Sequence, residues 1–382
     1  MSRTDELTGL QLRSLVKADG ELELSLAKVT VPAPAEDEVV IRVEATPINP
    51  SDLGLAFGPA DMSRAEGSSG PDGPVVRARI APELMGPLAG RFGQSLQVGN
   101  EGAGTVVQAG ASPAAQALLG RTVALVVGAM HAQYRVVKAA ECIALPEGAS
   151  ARDGAALFVN PLTAIGMVET MRMENHTALV HTAAASNLGQ MLVKLCLEEG
   201  VQLVNVVRSP AQVAILRELG AVHVVDTSAP GFMEALTEAL AVTGATVAFD
   251  AIGGGPLASQ ILTGMEAAAI RSATSYHRYG STVHKQVHIY GALDSSPTML
   301  SRNFGLAWGV DGWLMTPVLQ KAGPAGVQAM RQRALAGMKT IFTSQYTREI
   351  SLFEMLQLDV LAGYNKRATG EKYLINPTLP AK

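Results

Sequence analysis

Between residues 22 and 48 apolar and polar positions alternate in short bursts, LELSLAKVTV and EVVIRVEATPI, interrupted by Pro32, Pro34 and Pro47. Alternation at period two buries one face of a strand, and proline is confined to strand edges and ends. The stretch therefore predicts antiparallel β structure. The same pattern returns at 102–110, 121–128 and 132–138. Between them, residues 58–99 hold eight glycines and five prolines with little periodicity. That composition predicts a long connection, read either as a lid or as a surface excursion.

Near residue 151 the pattern changes. Short apolar runs such as TALVHT (177–182), QLVNVV (202–207) and ATVAFDAI (245–252) alternate with amphipathic segments such as NLGQMLVKLCLEEG (187–200) and PLASQILTGMEAAAI (256–270). Apolar strands separated by helices predict a parallel sheet covered on both faces, a doubly wound domain of Rossmann type. After about residue 325 a helical segment, a Gly/Thr turn and one isolated strand follow, and such a strand needs an earlier sheet to pair with. The chain is thus expected to fold as an α/β protein with a discontinuous first domain, 1–155 with 325–382, and a Rossmann domain over 156–324.

Composition narrows the function classes. Of 382 residues, 48% are hydrophobic, 17% charged and 4% aromatic, which suits large apolar cores and excludes a disordered chain. With 34 acidic against 30 basic residues, no nucleic-acid partner is expected. Two cysteines, Cys142 and Cys196, exclude a disulfide framework and a four-thiolate zinc site. The N-terminus MSRTDELTGL has no apolar segment and no apolar run approaches a membrane span, so a cytoplasmic protein without a membrane partner is expected.

The first strand-to-helix turn of a Rossmann domain binds pyrophosphate through free N–H groups at a helix N-terminus. Here it reads Ala184-Ala185-Ser186-Asn187-Leu188-Gly189, keeping one glycine of the usual three but only small residues where the backbone must come close. The second strand runs into Arg208-Ser209-Pro210, where NAD-specific folds carry an acid. A guanidinium fork there suits a 2′-phosphate, at roughly 1.5–3 kcal/mol for a charge-assisted bond. NADPH is the expected cofactor; the alternatives are a ligand-free turn and a solvated Arg208.

In this order the motifs resemble those of the medium-chain dehydrogenase/reductases, more narrowly the zinc-independent quinone reductase and enoyl-thioester reductase branch. The resemblance covers nearly the whole chain. It rests on Asn49-Pro50-Ser51-Asp52, the run Gly99 through Gly104, Asn160-Pro161-Leu162-Thr163-Ala164, Ser186 through Gln190 and Asn205-Val206-Val207-Arg208. Gly220-Ala221, Asp250 through Gly253, Tyr290-Gly291 and Thr369-Gly370-Glu371-Lys372 complete it. It implies a GroES-like β barrel with an inserted Rossmann domain and the nicotinamide in the cleft between them. It also implies cofactor contacts from Asn160, Thr163, Ser186, Asn187, Leu188, Gly189, Arg208, Ser209, Ile252, Tyr290, Gly291, Ala292 and Leu293. Lys372 would reach the cofactor from the tail, the alternative being a solvated lysine.

Zinc members of the family carry ligands where this chain has Ser51 and Asn100, neither of which suits zinc. His277, His284 and His288 are better read as surface or cleft residues than as a metal site, and no metal is expected. Without a Lewis acid, hydride transfer to an activated double bond or a quinone is favoured over oxidation of a simple alcohol, because a conjugated carbonyl spreads the arriving charge. The family's enoyl reductases place a tyrosine shortly after the first motif, but LGLAFGPADMS (53–63) has only Phe57. The catalytic candidates are accordingly Asn49, Asp52 and, from the 272–284 segment, Tyr276. The competing class is an NADPH-binding redox sensor or scaffold with little turnover. An open sheet edge, with Trp308 and Trp313 nearby, suggests a homodimer acting on a small-molecule substrate.

Overall fold

The alternating N-terminal bursts become long antiparallel strands in a computed structural model that describes residues 7–366 and 369–381. The first six residues, on which the reading of the N-terminus partly rests, lie outside them. Thr8–Val16 pairs with Glu21–Thr30 and Ser95–Gln97, and Glu21–Thr30 pairs in turn with Gly73–Arg79. Leu12, Val16, Leu22, Leu24 and Leu26 point from these strands into one apolar cluster, as the period-two pattern requires. A second sheet is built on Glu38–Pro47, which pairs antiparallel with Gly102–Ala109, Tyr134–Lys138 and Tyr373–Ile375. A bridge between Gln11 and Ala132 joins the two sheets.

Part of the 58–99 stretch, read as a lid or a surface excursion, is ordered sheet. Glu66–Gly70 and Gly73–Arg79 form a hairpin that extends the first sheet, and Val76, Ala78 and Ile80 enter its core. Glycine and proline there mark the hairpin turn at Pro71-Asp72 and short 3₁₀ turns, which masked the alternation.

The parallel sheet contains β1 (Ala178–His181), β2 (Gln202–Val207), β3 (His223–Asp226), β4 (Val247–Asp250), β5 (Lys285–Ile289) and β6 (Trp308–Gly312). Its spatial order is β3-β2-β1-β4-β5-β6, every pair parallel, the order of a doubly wound sheet. Helices α1 (Asn187–Glu199), α2 (Pro210–Glu218), α3 (Phe232–Thr243) and α4 (Leu257–Arg271) make the crossovers. Gly200 ends α1 in the left-handed region at φ 68°, a conformation that costs glycine least.

Two compact units result: one runs to Val159 and resumes at Met338, the other is Asn160–Gly337. These divisions fall later than residues 155 and 324. The second differs because the helical stretch Met315–Ala336 is broken at Gly323 (φ 67°) ahead of Pro324, yet continues in the same unit. Beyond the break, Met330 and Ala334 are buried and Arg333 pairs with Glu198 and Glu199 of α1. Contrary to the expectation from hydropathy, the stretch Ala151–Met173 is long and apolar enough to cross a membrane. Its most apolar window is 78% buried inside the protein, and that burial accounts for its composition.

Candidate functional site

In the first unit the polar motif residues converge on one buried cluster. Asn49 precedes the helix Pro50–Phe57, and the Asp52 carboxylate folds back to accept the Asn49 N–H at 2.7 Å. The other Asp52 oxygen accepts the Asn100 N–H at 2.8 Å. The Asn49 carboxamide donates to Glu101 at 2.9 Å and accepts from Lys372 Nζ at 3.3 Å. Glu101 in turn accepts the backbone N–H groups of Phe158 and Val159, each at 2.8 Å. Lys372 also lies 5.9 Å from the centre of the Tyr346 ring.

Burial dominates the electrostatics. It pushes Asp52 up to about 7, with Glu101 adding repulsion, and it also raises Glu101. Lys372 is pushed down to about 8 by burial, opposed by the charges of Glu101 and Asp52. Two sequence expectations change as a result. Asn49 and Asp52 are 2% and 1% exposed with their polar atoms engaged by protein partners, so they clasp the fold rather than face a substrate. Lys372, 8% exposed, belongs to this clasp and is not a solvated lysine.

Ser51 and Asn100 hydrogen-bond each other at 2.9 Å. A hydroxyl and a carboxamide already paired are poor zinc donors, so the residues present do not fit the metal of the family's zinc members. Among the described residues no group of three or more His, Cys, Asp or Glu could hold a metal ion. His288 is instead clamped between Asp311 at 2.6 Å and Glu174 at 3.0 Å, while His277 and His284 are exposed.

In the second unit the expected cofactor residues gather at the carboxyl ends of the strands. Ser186 caps α1, its hydroxyl accepting the Gly189 N–H at 3.1 Å, and Ala183 takes a left-handed turn at φ 50°. A Cβ at Gly189 would lie 2.1 Å from the Ala184 carbonyl oxygen, so the helix start packs on the turn as only glycine permits. Asn187 and Leu188, in the first turn of α1, are half-buried. Arg208 is exposed beyond β2, and the Ser209 hydroxyl caps α2 by accepting from the Gln212 N–H at 3.4 Å. Asn160 and Thr163 lie half-buried at the start of the helix Val159–Met173.

Ile252, Tyr290, Gly291, Ala292 and Leu293 sit past the ends of β4 and β5. Asp250 organises them: one of its oxygens accepts from the Thr182 hydroxyl and the Ile252 N–H, the other from the Gly253 N–H. The Asp250 carbonyl accepts the Tyr290 N–H, and the Ala251 carbonyl accepts the Leu293 N–H. Leu293 is 47% exposed. The Tyr290 hydroxyl pairs with the imidazole of His181 at 2.7 Å. Tyr276 is 90% exposed beside an open hollow of 670 Å³. Trp313 is an interior residue, its indole N–H donating to Thr170 at 3.1 Å, which removes it as a dimer anchor.

Sequence reasoning did not single out His181, Thr182 or Glu101 as site residues. The signal for His181 and Thr182 was a polar pair closing an otherwise apolar strand, ALVHT. Glu101 stood in a quoted motif, but its partners at Phe158 and Val159 are 57 and 58 residues away.

No family model matches the chain. Over 53% of its length it is 27% identical to the mitochondrial enoyl-[acyl-carrier-protein] reductase of Xenopus tropicalis, covering 51% of that protein. The chain spans about half the length of the curated relatives it matches. Among solved structures, a Mesorhizobium loti protein named for an inferred NADPH:quinone reductase activity is 27% identical, with 99% of this chain and 100% of that one covered and a TM-score of 0.70. A mycobacterial protein solved with NADPH matches in fold at 15% identity, over 96% of this chain and 100% of that one, with a TM-score of 0.65. With a GroES-like barrel, a doubly wound Rossmann sheet and an end-to-end structural match, the chain has the fold of these proteins, and the relatives and neighbours it resembles are named for enoyl and quinone reduction, the zinc-independent branch of the medium-chain dehydrogenase/reductases.

Proposed function

We propose that the protein is an NADPH-dependent oxidoreductase that delivers hydride to a conjugated carbon–carbon double bond or a quinone. The observation that carries this reading is the turn from Thr182 to Gly189, in which small residues, the Ser186 cap and the Gly189 close approach leave a helix N-terminus open to a pyrophosphate. Arg208, exposed past β2, supports NADPH over NADH, and Ile252, Gly291 and Ala292 would border the nicotinamide. When bound, the cofactor supplies the hydride; the chain's own residues bind it, orient the acceptor and exclude water. The Xenopus relative and the Mesorhizobium neighbour are named for enoyl and quinone reduction respectively, and both chemistries remain within the proposal.

The test is NADPH oxidation at 340 nm with a naphthoquinone, a 2-alkenal and crotonyl-CoA as acceptors. Turnover with one of them supports the reading. Micromolar NADPH binding with no turnover on any acceptor would instead favour the sensor or scaffold class.

The same reading includes a homodimer. Among the described residues β6 pairs with β5 alone and leaves its outer edge open, and Leu306 and Leu314 on either side are 73% and 70% exposed. An unpaired strand flanked by exposed leucines suits a second copy of the chain.

A further inference from the structure

His181 ends β1 and Tyr290 follows β5, with the end of β4 between them, and their side chains meet across it. The imidazole Nε2 and phenol oxygen are 2.7 Å apart, the rings are stacked with centroids 5.8 Å apart, and Trp313 stands edge-on to Tyr290 at 6.3 Å. His181 is fully buried and burial pushes its imidazole down to about 3, while burial raises the Tyr290 phenol. At neutral pH the pair is therefore uncharged and holds two protons, one N–H and one O–H. Only one hydrogen bond joins the two groups.

Which proton fills it follows from His181 Nδ1, which is buried without a partner. If the phenol donated to Nε2, the imidazole proton would sit on Nδ1 as a buried N–H with no acceptor, the rarer and costlier kind of orphan. If Nε2–H donates to the phenol oxygen, Nδ1 is only an unfilled acceptor and the phenol keeps a free O–H. The half-buried tyrosine lies just past the end of β5, at the carboxyl ends of the strands, where open α/β sheets take their ligands. Phe57, the aromatic residue that follows the first motif in sequence, is 3% exposed and packs against Tyr364.

We propose that Tyr290 is the general acid that completes the reduction and that His181 is its positioning residue, an inference that rests on the proposed NADPH-dependent reduction. As hydride enters the β-carbon of an unsaturated carbonyl compound, the double-bond pair moves toward the carbonyl oxygen. The Tyr290 O–H then gives its proton to the α-carbon as the carbonyl re-forms. The phenolate left behind keeps the hydrogen bond from His181 Nε2–H and takes a proton back from water.

The experiment pairs kinetics on Tyr290→Phe with ¹⁵N NMR of the imidazoles in the cofactor-free protein. Tyr290→Phe is expected to lower turnover of crotonyl-CoA about a hundredfold or more. Naphthoquinone turnover should fall far less than crotonyl-CoA turnover, because its oxygens exchange protons with water. His181→Phe should shift the pH profile of crotonyl-CoA turnover, and His181→Asn should restore part of it. The spectra should show His181 as the neutral Nε2–H tautomer between about pH 5 and 8. Crotonyl-CoA turnover within threefold of the parent overturns the assignment, as does an Nδ1–H tautomer or an equal loss with both acceptors together with NADPH affinity. A parent protein that neither binds NADPH nor reduces any acceptor defeats the proposed function first, and the tautomer then still decides whether the phenol O–H is free.

Discussion

At the scale of single residues, charge and burial make the sharpest predictions. Arg208→Ala should weaken NADPH about ten- to a hundredfold by titration and leave NADH unchanged; equal losses would mean the guanidinium does not read the 2′-phosphate. Asp52 ionises near 3.8 when unfolded and near 7 in the fold, so between these values the native protein keeps a proton that the unfolded chain has lost. Stability should then fall as pH rises from about 4 to about 7, by up to roughly 1.4 kcal/mol per pH unit from this group, with the raised Glu101 acting in the same direction. Lys372 works oppositely above about 8, where its buried ammonium loses a proton before the unfolded chain does and stability is regained. Denaturant melts across this range should show the acid-side slope in the parent and a shallower one in Asp52→Asn. Asn49, Asp52 and Lys372 were visible as motif residues; their mutual burial was not, because it depends on a contact across 323 residues.

At the scale of elements, the first crossover is where local sequence and site coincide. Gly189 was legible as the one retained glycine of the turn, and its contact with the Ala184 carbonyl supplies the physical reason. Gly189→Ala should cost about 1–3 kcal/mol in denaturant melts through overpacking and should weaken NADPH further still; wild-type stability would show that the helix can slide away. Ser186→Ala removes a cap and should cost about 1 kcal/mol. The 66–79 hairpin was harder to read, because the glycines and prolines that make its turn also interrupt the alternation that identifies a strand. His181 and Tyr290 were harder again. Tyr290 was legible as a motif residue and His181 was not, and only the parallel order β1-β4-β5 sets them in hydrogen-bond reach.

At the scale of the whole molecule, the tail completes the first unit. Ile350, Leu352, Leu356, Leu361 and Ile375 enter the same core as Leu12 and Leu22, and Leu374 and Ile375 pair with Pro47 and Thr46. A chain ending at Gly337 should lose the cooperative calorimetric transition of that unit, whereas a surviving transition would show that the first 159 residues suffice. The proposed dimer predicts that light scattering finds twice the chain mass, reduced to one chain by Val310→Pro on β6. Periodicity by itself determined the alternating strands of 22–48 and the strand–helix series after residue 151, and the motif series pointed to the fold, because both are carried by residues near one another in the chain. Tertiary structure alone decided that Asn49 and Asp52 are clasps, that Lys372 is buried and that Tyr290 turns toward His181. Those roles depend on which side chains lose water together, and the groups that share a desolvated pocket here are separated by dozens to hundreds of residues.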